Sequence, residues 1–146
     1  MIKELGIDLH GVIDSDVALF KELLDKLHVK DGVSVTIISG PPTKEIIGEL
    51  NELGLIAGVH YDQVYSVVDR LIHKEVDMWK DEKDTWWASD EDWWSAKASI
   101  CSEHNIDLMI DDKERYGIWF EHIETEFIVY TPYSFFECLL KIGGMV

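Results

Sequence analysis

Apolar residues alternate between two spacings along this chain. Ile2 to Leu9 is a mostly apolar run with Asp8 at its carboxyl end and Gly11 close behind, and reads as a buried strand. Ser15 to His28 carries Val17, Phe20, Leu23, Leu24 and Leu27 at helical spacing, with Ser15 or Asp16 as its cap. Lys30-Asp31-Gly32 marks a turn, and the β-branched run from Val33 to Ile38 predicts a second strand. Gly40-Pro41-Pro42 interrupts it. Thr43 then opens a helix with Ile46, Ile47, Leu50 and Leu53 on one side and Gly54 at its end. Gln63 to Val68 is a third strand. Ser89, followed by Asp90-Glu91-Asp92, starts a helix that runs to about His104. Ile106 to Ile110 and Phe127 to Tyr130 complete five strands, and Ser134 to Ile142 predicts a closing helix.

Strands alternating with helices imply an α/β fold, a mainly parallel sheet with helices on both faces. The pattern fills residues 1–146 as a single domain, without internal repeats. The stretch from Asp69 to Trp87 fits it least. It mixes Arg70, Lys74, Lys80 and Lys83 with acids and three tryptophans, and is expected to cross the carboxyl edge of the sheet as a small lid.

Composition narrows the field. There are 13 Lys plus Arg against 29 Asp plus Glu, a formal charge of −16. Such a surface repels the phosphate backbone, so general nucleic-acid binding is not expected. No apolar run is long enough to span a bilayer, and the N-terminus lacks a basic segment followed by an apolar one, so a cytoplasmic protein without membrane attachment is expected. Cys101 and Cys138 lack metal-ligand spacing and read as small buried side chains in a reducing compartment.

In a parallel sheet, ligands gather beyond the carboxyl ends of the strands. The pattern sets Asp8, Ser39 and Asp111-Asp112 at such ends, with Lys97 on the helix between. These groups suit phosphoryl transfer to a carboxylate. Asp8 is the candidate nucleophile, and a magnesium ion on the carboxylates would neutralise the phosphoryl oxygens. Ser39 and Gly40 would contact the phosphate, and Lys97 would supply a fixed positive charge. Lys74, Lys80 and Lys83 compete with Lys97 for that role. Asp111-Asp112 before Lys113 also fits an ordinary solvated turn.

The ordered set resembles the haloacid dehalogenase-like (HAD) superfamily of phosphohydrolases. Asp8-Leu9-His10-Gly11-Val12 is similar to its first motif, an apolar strand followed by Asp-x-Asp-Gly; Ile37-Ile38-Ser39-Gly40 to its second; Lys97 to its third; and Ile110-Asp111-Asp112 to its fourth. The resemblance implies a three-layer Rossmannoid sandwich whose five strands run in the order 3-2-1-4-5. It makes Asp8 both nucleophile and magnesium ligand, joined by the main-chain carbonyl of His10, by Asp111 and by Asp112. It also implies a small phosphorylated substrate. The link from Asp14 to Ser15 leaves no room for an inserted cap after the first strand, and residues 69–87 are too few for a folded cap domain after the third.

One position departs from the family pattern. Its phosphatases place a second Asp two residues after the nucleophile, as acid and base for the leaving group; this chain has His10 there. Histidine can move protons near neutral pH. The alternative is a catalytically weak or inactive relative that binds metal or phosphate as a regulator. Of the six tryptophans, Trp86-Trp87 and Trp93-Trp94 are adjacent pairs, so one of each pair is expected in the core. The other would face a lid, a second subunit of a homo-oligomer, or a nucleotide base.

Overall fold

The computed structural model describes residues 2–134. Seven strands and four α-helices follow one another as β1 (Glu4–Ile7), α1 (Val17–Asp25), β2 (Ser34–Ser39), α2 (Thr43–Glu52), β3 (Gln63–Ser66), α3 (Val67–His73), β4 (Met78–Lys80), β5 (Trp86–Ala88), α4 (Asp90–Glu103), β6 (Leu108–Asp111) and β7 (Glu126–Val129). Five strands form a parallel sheet in the order β3-β2-β1-β6-β7. This is the 3-2-1-4-5 order that the family resemblance implies, with the two hairpin strands β4 and β5 numbered in between.

Side-chain alternation builds the layers. Leu5, Ile7, Val35, Ile37, Leu108 and Ile110 pack with Phe20 and Leu24 of α1 and Ile46 and Leu50 of α2. The intervening residues Ile38 and Met109 turn to the other face, against Ala98, Ile100 and Cys101 of α4. Gly6 takes this second face on β1, where an added Cβ would lie 2.9 Å from the Met109 sulfur and 3.1 Å from Ile38. Burial pushes the Cys101 thiol up to about 12, so it packs as an inert apolar group.

The third strand stops at Ser66 rather than continuing to Val68. The Ser66 hydroxyl accepts from the Asp69 amide at 3.0 Å, and α3 begins there. A serine followed three residues later by an acid is a helix-start signal, and here it overrides the apolar run. The stretch 69–87 accordingly divides between the rest of α3 and the antiparallel β4–β5 hairpin, whose turn is closed by Lys83 and Thr85 amides donating to Asp81. A seven-residue 3₁₀ segment, Glu114–Phe120, was not foreseen; it inserts Tyr116 and Phe120 into the α4 face. Asp16, not Ser15, caps α1, and Ser89 caps α4. The closing helix expected beyond Ser134, and Cys138 with it, lies outside the described residues. Among the described residues no helix is long and apolar enough to cross a membrane.

Candidate active site

Strand register brings the chemistry-bearing residues together. Ile7 of β1 lies beside Ile37 of β2 and Ile110 of β6. Asp8 and Asp111 therefore stand one residue beyond a common row, and Ser39 two, all at the carboxyl edge. The Asp8 amide donates to the Ile110 carbonyl at 3.0 Å, which holds the strand end down. The chain then turns through Gly11 at φ +81°. A Cβ at Gly11 would overlap the Asp112 carboxylate, so the turn needs glycine both for its backbone angle and for this approach. The Gly11 amide donates to Asp14 at 2.7 Å, and only the short turn Ile13–Ser15 separates this loop from α1.

The cluster is buried. Asp8 is 5% exposed, Lys97 2% and Asp111 0%. Lys97 reaches from α4 with its ammonium 2.5 Å from Asp111 Oδ2 and 3.4 Å from Asp8 Oδ2. The same nitrogen stands 4.4 Å from the centre of the Tyr116 ring, a contact supplied by the unforeseen 3₁₀ segment. Lys74 and Lys80 are elsewhere, beside Glu103 and Asp84. Burial pushes the Asp8 carboxyl up to about 6, with Lys97 opposing that rise and Asp111 adding to it. Burial alone would favour neutral Lys97, but Asp8 and Asp111 outweigh it and hold the ammonium above its ordinary range. Asp112 is raised by burial and by the adjacent Asp111 charge.

Three carboxylates against one ammonium leave the cluster with a formal excess of two negative charges. Ligand oxygens of Asp8, Asp111 and Asp112 all lie within 4.8 Å of one another, a spacing that a single cation can bridge. Asp112 Oδ1 is buried and has no hydrogen-bond partner. The Ser39 hydroxyl is likewise buried without a hydrogen bond of ordinary geometry, although it is near enough to the Asp8 carboxylate to favour its ionised form. Buried oxygens without partners are uncommon and costly. An all-oxygen donor set with a charge deficit of two fits a hard divalent cation such as magnesium.

Asp8, Ser39, Gly40, Lys97 and Asp112 line a cleft of about 320 Å³, together with Pro41, Lys113 and Tyr116. Gly40 to Pro42 is fastened to α3: Ser66 Oγ donates to the Pro41 carbonyl at 2.5 Å, and the Thr43 amide donates to Asp69 at 2.9 Å. His10 also reaches the cleft, but its ring is 43% exposed and its Nε2 pairs with Glu49 of α2. Glu49 is a residue the sequence pattern missed; it flanks the Ile46–Leu50 stripe on α2, half-buried, and that spacing reveals nothing of His10. The tryptophans differ from expectation at both pairs: Trp87 is exposed and Trp86 lines a cavity, so neither joins a core cluster. Trp93 and Trp94 both pack on the core, against different clusters, because a turn of about 100° between neighbours on α4 sends them to opposite sides.

No protein-family model and no curated protein matches this chain. Solved structures do. An uncharacterized protein from Corynebacterium glutamicum aligns over 99% of this chain and 94% of its own, with 18% identity and a TM-score of 0.63. A HAD family enzyme from Bacteroides thetaiotaomicron aligns over 93% of this chain and 98% of its own at 11% identity, with a TM-score of 0.57. An aspartate-to-alanine mutant of that enzyme, in complex with magnesium and inorganic phosphate, aligns over 90% and 95%, also at 11% identity, with a TM-score of 0.54. At these identities the likeness concerns architecture, and it concerns nearly all of both chains: the protein has a Rossmannoid, HAD-like fold.

Proposed function

We propose that this protein is a magnesium-dependent phosphate-monoester hydrolase that works through an aspartyl-phosphate at Asp8. The observation that carries the reading is the Asp8–Asp111–Asp112 cluster, buried at Asp8 and Asp111, with the buried Lys97 ammonium paired to those two. Magnesium, held by Asp8, Asp111, Asp112 and the His10 carbonyl, would offset the charge on the phosphoryl oxygens. An Asp8 carboxylate oxygen attacks phosphorus, and the bond from phosphorus to the ester oxygen breaks. Ser39 donates to a phosphoryl oxygen, and Lys97 counters the charge that Asp8 and Asp111 would otherwise present to the incoming anion. The departing oxygen takes a proton from His10, whose ring Glu49 orients. Water, returning a proton to His10, then attacks phosphorus; the bond from phosphorus to Asp8 breaks, which releases inorganic phosphate and returns the Asp8 carboxylate. The β4–β5 hairpin serves as a short lid over this edge, and the HAD family neighbour with magnesium and phosphate supports a small phosphorylated substrate.

A second reading draws support from the tethering of His10 to Glu49 with the ring half exposed. If that ring stays turned to Glu49, proton transfer fails and the pocket serves as a metal- or phosphate-binding regulator. Assaying a phosphomonoester panel with and without magnesium, for the parent chain and Asp8→Asn, separates the two. Turnover that needs both magnesium and Asp8 supports the hydrolase. Calorimetric magnesium binding without turnover of any ester supports the regulator.

A further inference from the structure

A larger cavity, about 620 Å³, adjoins the Asp8 cleft. Gly40 and Pro41 line both, so the two spaces flank that turn. The far wall is the inner face of the hairpin. Lys80 and Trp86 are cross-strand partners, in the same alternation as Met78 and Ala88, which pack on the core beside α3 and α4. The hairpin is thus anchored at one end and extends its Lys80–Trp86 pair over open space. Trp93 closes the floor, its ring 3.4 Å from where a Gly40 Cβ would stand.

The charges in this cavity decide what it accepts. Lys80 lies 3.2 Å from Asp84 and 4.8 Å from the centre of the Trp86 ring, so its charge is already met. Lys83 and Glu45, also in the lining, have no ion-pair partner among the described residues. Two cations and two carboxylates cancel. Nothing here recruits a second phosphate or a carboxylate. The cavity instead offers indole surface, one strong donor and one strong acceptor. That combination suits a neutral planar ring with donor and acceptor groups on its edge.

Resting on the hydrolase reading above, we infer that the leaving group is a nucleoside: its base lies against Trp86 and Trp93, its edge meets Lys83 and Glu45, and its sugar crosses the Gly40–Pro41 turn. The substrate class is therefore the nucleoside monophosphates, and Trp86 is a specificity residue. The volume agrees, since a small ester would leave the larger cavity vacant, whereas about 300–1,000 Å³ is the usual span of a ligand pocket.

The test compares kcat/KM for a panel of nucleoside 5′-monophosphates with that for β-glycerophosphate, with magnesium present. The parent chain is expected to prefer at least one nucleotide. Trp86→Leu is expected to lower that preference about tenfold, the size of one lost stacking contact, and Trp86→Phe to restore most of it. Titration calorimetry with free nucleosides, without magnesium, gives a readout that needs no turnover: the parent and Trp86→Phe bind, and Trp86→Leu does not. Trp86-dependent nucleoside binding with no ester hydrolysed would uphold the cavity and remove the hydrolase reading. Asp8-dependent hydrolysis of β-glycerophosphate, with no nucleotide preference and no nucleoside binding, would overturn the inference and leave the hydrolase reading intact.

Discussion

Replacing Lys97 with methionine tests the electrostatic core of the site without requiring any substrate. Methionine occupies nearly the same volume, so packing changes little, a cost under about 1.5 kcal/mol for a volume-conserving swap. The charge change is large. Lys97 is 2% exposed and, among the described residues, is the only cation paired with Asp8 and Asp111, which are themselves buried. Removing one partner of a buried ion pair costs about 3–5 kcal/mol, because the charge left behind is neither hydrated nor matched. For a chain of 146 residues, whose unfolding entropy near 60 °C is about 0.3 kcal/mol/K at roughly 2 cal/mol/K per residue, this lowers Tm by roughly 10–15 °C.

The penalty also has a pH signature. Asp8 titrates near 6 with Lys97 present, and loss of the ammonium moves that value higher. Once protonated, Asp8 needs no counter-charge. The Lys97→Met penalty in urea unfolding is therefore expected to be large at pH 7.5 and clearly smaller at pH 5. Saturating magnesium should recover more stability in the variant than in the parent, since it replaces a missing positive charge. A variant as stable as the parent at pH 7.5, or a penalty indifferent to both pH and magnesium, would refute the claim that Asp8 and Asp111 stand ionised against Lys97.

Three further outcomes follow from the same geometry. Gly11→Ala forces a side chain into a left-handed turn and against Asp112; it is expected to cost about 2–4 kcal/mol and to weaken magnesium binding measured by calorimetry, and unchanged magnesium affinity would mean that Asp112 is not a ligand. The folded Asp8 carboxyl is raised from 3.8 to about 6, so its protonated form contributes stability below pH 4 that is lost as pH rises through 6, by linkage about 3 kcal/mol; without magnesium, Asp8→Asn should gain stability relative to the parent between pH 4 and pH 7, and a flat difference would contradict the burial argument. His10→Asp puts a carboxylate where the leaving group needs its proton, so kcat and the pH profile should both change; an unchanged rate and profile would remove the His10 side chain from proton transfer.

The parts of the site legible in the sequence are those fixed by strand ends. Asp8, Ser39 and Asp111 could be read because a parallel sheet converts three short apolar runs into one edge, whatever lies between them. Lys97 was harder: four lysines competed, and a buried ammonium on α4 carries no periodic mark, because its neighbours Ala96, Ala98, Ile100 and Cys101 are buried as well. Tyr116 and Glu49 could not be read at all. Tyr116 depends on a 3₁₀ segment with no apolar period of its own, and Glu49 on α2 lying across from the first loop. The same limit applied to the third strand, where Val67 and Val68 continue an apolar run that the Ser66–Asp69 cap terminates.

The legible residues are those that, on the proposed reading, would hold metal and phosphorus, and strand register alone brings them to the sheet edge. The illegible contacts are His10 with Glu49 and the Lys80–Trp86 pair over the neighbouring cavity, the ones to which the proposals above assign proton transfer and the leaving group. They are made by side chains from separate elements meeting above the sheet, where backbone register imposes nothing. Substitutions at the sheet edge should therefore abolish turnover of every ester alike, whereas substitutions at Glu49 or Trp86 should change the pH dependence or the ranking of substrates while magnesium affinity stays the same. A Trp86 variant with weakened magnesium binding would break that separation and join the two cavities into a single mechanical unit.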